Sequence, residues 1–322
     1  MVNAKPCVSL GLPVFNGEKY LKQALDSILA QTYQDFEIII SDNASTDKTQ
    51  QICLKYAAEQ KRIHYYRNKE NIGASKNYNR VFLLSSGNYF KWAAHDDVLA
   101  PEYLQKCVSV LENDSSIILC HSKTACIDEK GVVVADYDER TLNRVTSWIP
   151  HERFGDLISQ RNTCWAIMGV MRASSLKKTA LQGDYLDADR NLLAEIGLIG
   201  RIYEIPEHLF FRRKHPQSYT STYYTKYSLA RDYRNQLTWW GGTKKSSPIV
   251  LPHWKNCLEF FRSVNRVPLK FYERWLCYRE IGRWLLRGNG SKMMRNDLNN
   301  MFRLWRIKLH YGPPKRILEK TK

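Results

Sequence analysis

Four short apolar runs, each breaking off into a polar cluster, constrain this chain more than any other feature. The first is Val8–Val14 (VSLGLPV), closed by Pro13 and the turn Asn16-Gly17. Residues 36–40 (FEIII) run into Ser41-Asp42-Asn43, Ile63–Arg67 follows, and residues 89–94 (YFKWAA) stop at His95-Asp96-Asp97. Runs of this length without alternation are expected of strands buried on both faces. Between them the spacing turns helical. Tyr20, Leu21, Ala24, Leu25, Ile28 and Leu29 predict a helix over 18–32, Asp47 or Thr46 caps one reaching about residue 60, and 75–85 carries a third. Strand and helix in regular alternation predict an α/β fold, a Rossmann-like, mostly parallel, doubly wound sheet.

Further along, 116–126 and 131–134 read as strands around a turn, and Ala188–Ile199 as a helix. From about residue 219 aromatic and basic residues interleave, and helical spacing dominates 254–309. A boundary is expected at 220–250, around Gly241-Gly242 and Ser246-Ser247-Pro248. It separates an α/β unit, 1–220, from a mainly helical C-terminal region, 221–322.

In an open α/β sheet ligands bind beyond the carboxyl ends of the strands. Three polar clusters fall there: Pro13-Val14-Phe15-Asn16, the stretch from Asp42 to Asp47, and His95-Asp96-Asp97. Ser45 and Asp47 are accounted for as turn and cap residues. Asp96-Asp97 is not, because adjacent carboxylates repel unless a cation or donor joins them.

The ordered set Pro13-Val14-Phe15-Asn16, Ser27-Ile28-Leu29-Ala30-Gln31-Thr32, Ser41-Asp42-Asn43-Ala44-Ser45-Thr46-Asp47-Lys48-Thr49 and Asn71-Ile72-Gly73 resembles the opening of family 2 glycosyltransferases. Gly87-Asn88-Tyr89 then precedes the strand leading to that family's acidic D-x-D region. The likeness is close over 8–104 and looser to about 215. It implies a GT-A domain, a nucleotide-sugar donor, inversion by direct displacement, and a divalent cation, Mn²⁺ or Mg²⁺, on the donor diphosphate. It also implies a nucleotide-binding set of Pro13, Val14, Phe15, Asn16, Asp42, Asn43, Lys76 and Asp96, with Asp42 on the nucleobase and the Pro13 turn walling it. Asp97, with Asp96, would hold the metal. A hard cation needs only one or two carboxylates beside the phosphates.

The sequence departs from the family pattern at Ala94, where an acid is usual, with His95 next to it. Lys76 stands where an Arg is common. The segment 185–215 resembles the family's later region, an Asp opening a helix, then a strand, a Pro-Glu turn and a basic R-x-H end. Sugar hydroxyls are poor nucleophiles and need a positioned base. Asp189 is the candidate and Asp187 the runner-up, although an acid at a helix start is also stabilised by the helix dipole. Arg212, Arg213 and His215 are offered to the diphosphate or metal.

The formal net charge is +17, and residues 251–322 carry 17 Lys and Arg against 5 Asp and Glu. Aromatics alternate there with Arg. That suits an anionic membrane surface, hence a lipid-linked saccharide acceptor in surface polysaccharide synthesis, and equally a helical appendage with a solvated basic face. No apolar run approaches the ~20 residues of a membrane span. No signal peptide is visible, and the eight cysteines show no CxxC or zinc spacing. A cytoplasmic protein, peripheral on the inner membrane face at most, is expected. Nucleic acid is an alternative partner for the charge, but no nucleic-acid signature appears and the charge lies away from the motifs. A nucleotidyltransferase would open with a Gly-rich loop that this chain lacks. A binding-only relative is the alternative raised by Ala94. UDP is the donor nucleotide the family favours; GDP and dTDP fit the same motifs.

Overall fold

The computed structural model describes residues 5–137, 143–159, 164–218, 239–241, 251–286 and 290–311. Strands β1 (Val8–Val14), β2 (Phe36–Asp42), β3 (Ile63–Arg67) and β4 (Tyr89–Trp92) lie parallel in the order β3-β2-β1-β4. Every residue of β1, β2 and β4 is buried, as a strand covered on both faces requires. Helices α1 (Leu21–Leu29), α2 (Thr49–Glu59) and α3 (Ala74–Leu83) make the crossovers.

Beyond β4 the sheet is mixed. Strand β8 (Val170–Arg172) runs antiparallel to β4 and to β6 (Ile117–Ile127). Strand β9 (Arg201–Arg213) lies parallel to β6, and β5 (Val98–Leu99) and β7 (Val133–Tyr137) pair antiparallel with β9 and β6. At two and three residues, β5 and β8 are too short to carry a periodic signal. The turn expected at Pro206-Glu207 is instead a bulge inside β9. Pairing with β6 jumps from Ser122↔Ile205 to Lys123↔His208, so the proline, which lacks an N–H, sits where no ladder bond is needed.

One face of the sheet packs α1, α2 and α4 (Tyr103–Asn113) over Val8, Leu10, Leu12, Ile38 and Ile40. The other face carries α3, α5 (Pro150–Ile158), the short α6 (Ala173–Leu176) and α7 (Ala188–Ile199). Outside these lie α8 (Pro252–Arg266), α9 (Phe271–Leu286) and α10 (Gly290–Tyr311), matching the helical spacing read from 254 on. The expected boundary falls, apart from 239–241, outside the described residues. Across it the packing is continuous: Phe260, Val264, Cys277, Ile281 and Trp284 belong to the same apolar cluster as Phe154, Leu157 and Leu193. Phe260 meets Phe154 and Trp284 edge-on, at centroid distances of 6.1 and 5.4 Å. Buried Glu195 of α7 accepts from Arg266 at 2.7 Å and Ser263 at 2.9 Å. Asn191 donates to Asn256 at 3.2 Å. Helix α7 is therefore an internal helix, buried along most of its length.

Candidate active site

The carboxyl ends of the parallel strands share one edge, and the loops there are tied to each other. Asn16, in the left-handed region at φ 51°, donates its N–H to Ser45 Oγ at 2.9 Å and accepts from Thr46 N–H at 2.8 Å. Gly17 N–H reaches Thr49 Oγ1 at 2.8 Å. Asp47 accepts from Glu18 N–H at 3.0 Å and Thr49 N–H at 2.9 Å, and the Glu18 carboxylate accepts from Lys48 N–H. Asn16 and Asp47 thus brace one loop against the other, and Phe15 is left 43% exposed at the rim. A Cβ at Gly17 would come within 2.8 Å of the His95 ring, so His95 lies against this turn.

Asp42 is fully buried. Its carboxylate accepts from Ser45 N–H at 2.8 Å, Tyr65 Oη at 2.8 Å and Arg67 Nη1 at 2.5 Å. Register places Arg67 opposite Asp42 on β3, which makes the pair a cross-strand one. Asn43, also buried, accepts from Asn68 and from Ile72 N–H and donates to Asn71. Gly73, at φ 86°, lets the Asn71 turn close before α3, a conformation that favours glycine. Lys76 is exposed on α3.

Asp96 and Asp97 are held by the end of β9. Arg213 N–H donates to Asp97 Oδ1 at 3.0 Å, and His215 Nε2 lies 2.9 Å from Asp96 Oδ2. Arg213 was offered by resemblance to the diphosphate, but its guanidinium points inward and is buried. It donates to the Asp96 carbonyl at 2.9 Å, the Asp128 carbonyl at 2.9 Å and Gln23 Oε1 at 2.7 Å, with its cation 4.8 Å from the Tyr20 ring centroid. It staples the aspartate turn to α1 and the β6–β7 turn. Burial and the neighbouring Asp96 charge push Asp97 up to about 7. Burial acts on Asp96 as well, but His95 and the His215 hydrogen bond outweigh it and hold Asp96 below the usual carboxylate range.

Asp189 opens α7, with Asp187 at the N-cap in a left-handed conformation, φ 57°. Its described hydrogen bond comes from Arg190 N–H at 2.8 Å. Burial, then the Asp187 charge, push its carboxyl up to about 6. The loop before α7 is anchored on α3: Asn79 and Gln182 exchange two bonds of 2.9 Å, and Ser75 Oγ donates to the Gly183 carbonyl at 2.6 Å. Tyr78, between these anchors, joins the two acidic centres. Besides burial, the charges of Asp96, Asp97 and Asp189 all raise its hydroxyl pKa, so all three lie within electrostatic reach of one ring.

Sequence reasoning missed Arg67, Tyr65, Tyr78, Gln23 and the buried Lys91. Arg67 had a signal, since it closes the third apolar run, where a partner for Asp42 belongs. Lys91 stands inside an apolar strand, its ammonium 4.8 and 5.2 Å from the Tyr103 and Phe210 ring centroids, and burial lowers it to about 8.

Comparisons with known proteins bear on the family and the fold. An uncharacterised glycosyltransferase of Rickettsia typhi is 35% identical over 126 residues, covering 39% of this chain and 38% of that protein. The match therefore spans well under half of that relative. One from Haemophilus influenzae is 29% identical over 223 residues, 68% of each chain. The crystal structure of S. aureus TarS 1-349 in complex with UDP superposes with a TM-score of 0.59 at 16% identity, covering 92% of this chain and 80% of that one. That likeness is one of fold. The model of the family described as Glycosyl transferase family 2 matches residues 9–177, just over half of the chain, and with the strand-end motifs and the GT-A-like sheet in place, the chain belongs to glycosyl transferase family 2.

Proposed function

We propose that this chain transfers a sugar from a nucleoside-diphosphate sugar, UDP-linked in the first instance, to a hydroxyl of a saccharide or lipid-linked saccharide, with inversion at the anomeric carbon. The observation that carries this reading is the Asp96-Asp97 pair on the strand-end edge that also carries the exposed Phe15 turn, with Asp189 within electrostatic reach of the same Tyr78 side chain. The Pro13, Val14, Phe15 and Asn16 turn walls the nucleobase. Asp42 and Asn43 act from beneath: their polar atoms are engaged by Arg67, Tyr65 and Asn68, so Asp42 shapes the base pocket through these partners.

The donor set fits Mn²⁺ or Mg²⁺. Asp97 Oδ1 takes the Arg213 N–H, and its other oxygen has no hydrogen bond among the described residues, which leaves it to a cation. Among the described residues no group of three or more His, Cys, Asp or Glu is arranged to hold a metal, so Asp97 and Asp96 would share the ion with the donor diphosphate; when bound, the ion would neutralise charge on that departing group. Asp189 takes the proton of the acceptor hydroxyl as that oxygen attacks the anomeric carbon and the carbon–phosphate-oxygen bond breaks. A base titrating near 6 is matched to neutral pH.

The C-terminal helices complete the reading. Trp254, Leu258 and Phe261 of α8 and Phe271, Tyr272 and Trp275 of α9 are all exposed, among half-exposed Arg262 and Arg283. Among the described residues no helix is long and apolar enough to cross a membrane. An aromatic surface among arginines suits peripheral contact with anionic lipid on the cytoplasmic face, next to a lipid-linked acceptor. The test is nucleotide release from UDP-glucose, UDP-N-acetylglucosamine, GDP-mannose and dTDP-glucose with Mn²⁺ or Mg²⁺. One donor should be consumed, and proton NMR of the product should show the inverted anomer. Consumption of none, or retention of configuration, contradicts the proposal.

A further inference from the structure

The end of the sheet opposite the acidic centres carries a second group of charges that the reaction does not use. A groove of ≈ 730 Å³ opens there between the starts of β6 and β9, helix α5, the end of α6 and the α8–α9 turn. Arg201, the first residue of β9, lines it, whereas Arg213, the last, meets Asp97. Thirteen strand residues separate the two ends, a distance on the order of 40 Å at the usual rise.

Four cations line the groove, Arg153, Lys178, Arg201 and Arg266, against one carboxylate, Glu273. Arg201 and Arg266 have partners just outside it, Asp114 and Glu195. Arg153 differs. Its side chain is buried, at 3% exposure for the residue, and its described hydrogen bonds go to the carbonyls of Ser147, Gly197 and Leu198. Among the described residues no carboxylate forms an ion pair with it. Burial, and then the Arg201 charge, lower it to about 10. The carbonyls at the end of α7 and the Glu273 charge across the groove offset part of that cost, and an anion in the groove would add to the compensation. Beside it stands the indole of Trp148, 72% exposed, with the Arg201 guanidinium 4.4 Å from its ring centroid. The remaining lining includes the apolar Val267, Pro268 and Leu269. A cationic floor, a flat aromatic wall and an apolar lip match a hexose ring bearing a negative group.

We infer that this groove is a second saccharide site, taking a phosphate- or carboxylate-bearing sugar far from the donor site. The exposed Lys178 ammonium and the positive field of the three guanidiniums attract such an anion, and the exposed indole face suits the C–H face of a pyranose. Because the groove is walled by both the α/β unit and the α8–α9 turn, an occupied site would also bridge the two.

Titration calorimetry with glucose 1-phosphate tests this in the full chain, with saturating UDP and Mn²⁺ present to block the donor site. The variants are Trp148→Ala and Lys178→Glu, both on exposed side chains, whose folding is checked by unchanged melting temperature. Wild type should bind, and each variant should weaken binding roughly tenfold or more. Glucose and inorganic phosphate should each bind more weakly than the joined ligand. Absence of heat in wild type, equal affinity in the variants, or binding that appears only when UDP is left out would each overturn the inference. UDP binding itself is read separately, so failure here leaves the donor site standing.

Discussion

The two acidic centres of the site are held in different ways. Asp97 and its neighbour Asp96 sit in a turn fixed from three sides, by the Arg213 backbone, by His215 and by a buried guanidinium that ties the turn to α1. Asp189 rests on a single described bond from the next residue, at the first turn of a helix. On the proposed function, the contrast would let one pocket serve two tasks. A cation and a diphosphate need donors on a turn that does not move, whereas a base must accept a proton and release it, which a carboxyl outside such a braced turn can do.

The sharpest way to break this comparison is to remove each acid in turn. Asp97→Ala should lower transfer about a thousandfold or more, because the developing charge on the diphosphate is then poorly met. Asp189→Asn keeps the shape and should lower kcat by about 10² to 10⁴ while donor affinity stays within about twofold. The wild-type rate should also fall as pH drops through about 6, since Asp189 below that value is protonated and cannot accept. The variant should lose that limb of the profile. If Asp189→Asn weakens donor binding as much as kcat, its role is structural and Asp187 becomes the base to test.

Arg67→Ala probes the buried side of the donor site. Asp42 would lose its guanidinium partner, and the protein should unfold at a lower urea midpoint, the loss limited because Arg67 is partly solvated. Unchanged stability would mean that Tyr65 and Ser45 suffice for Asp42. The smallest effect is expected at Lys76. It is exposed, so Lys76→Ala should change donor affinity by at most about fivefold. A hundredfold loss would place it on the diphosphate and extend the fixed side of the pocket onto α3.

The strand-end loops of the candidate site were legible in the sequence because their geometry is local. Apolar runs of strand length, the Asn16-Gly17 turn and the Asx-rich loop after β2 each report their own shape, and parallel register brings their ends together. The third strand, the helix at Ala188–Ile199 and the helical C-terminal stretch were legible for the same reason. What could not be read depends on distant partners. Arg213 looks like a ligand for phosphate until β6, β7 and α1 close around it. Pro206-Glu207 looks like a turn because nothing local announces a bulge in a thirteen-residue strand. The shared core of α7, α8 and α9 was hidden because Phe154 and Phe260 lie a hundred residues apart, and only packing joins them.

The most direct test of the donor site is thermal unfolding of the purified chain with UDP, GDP and dTDP, each with Mn²⁺ or with EDTA, in wild type and Asp97→Ala. A ligand near a hundredfold its Kd adds about 2.7 kcal/mol, a rise of ~4 °C for a chain of this size. One diphosphate should give that rise with Mn²⁺, and EDTA or Asp97→Ala should remove it. A rise equal in the variant, or none with any nucleotide in either condition, would contradict a metal-assisted donor site at Asp96-Asp97.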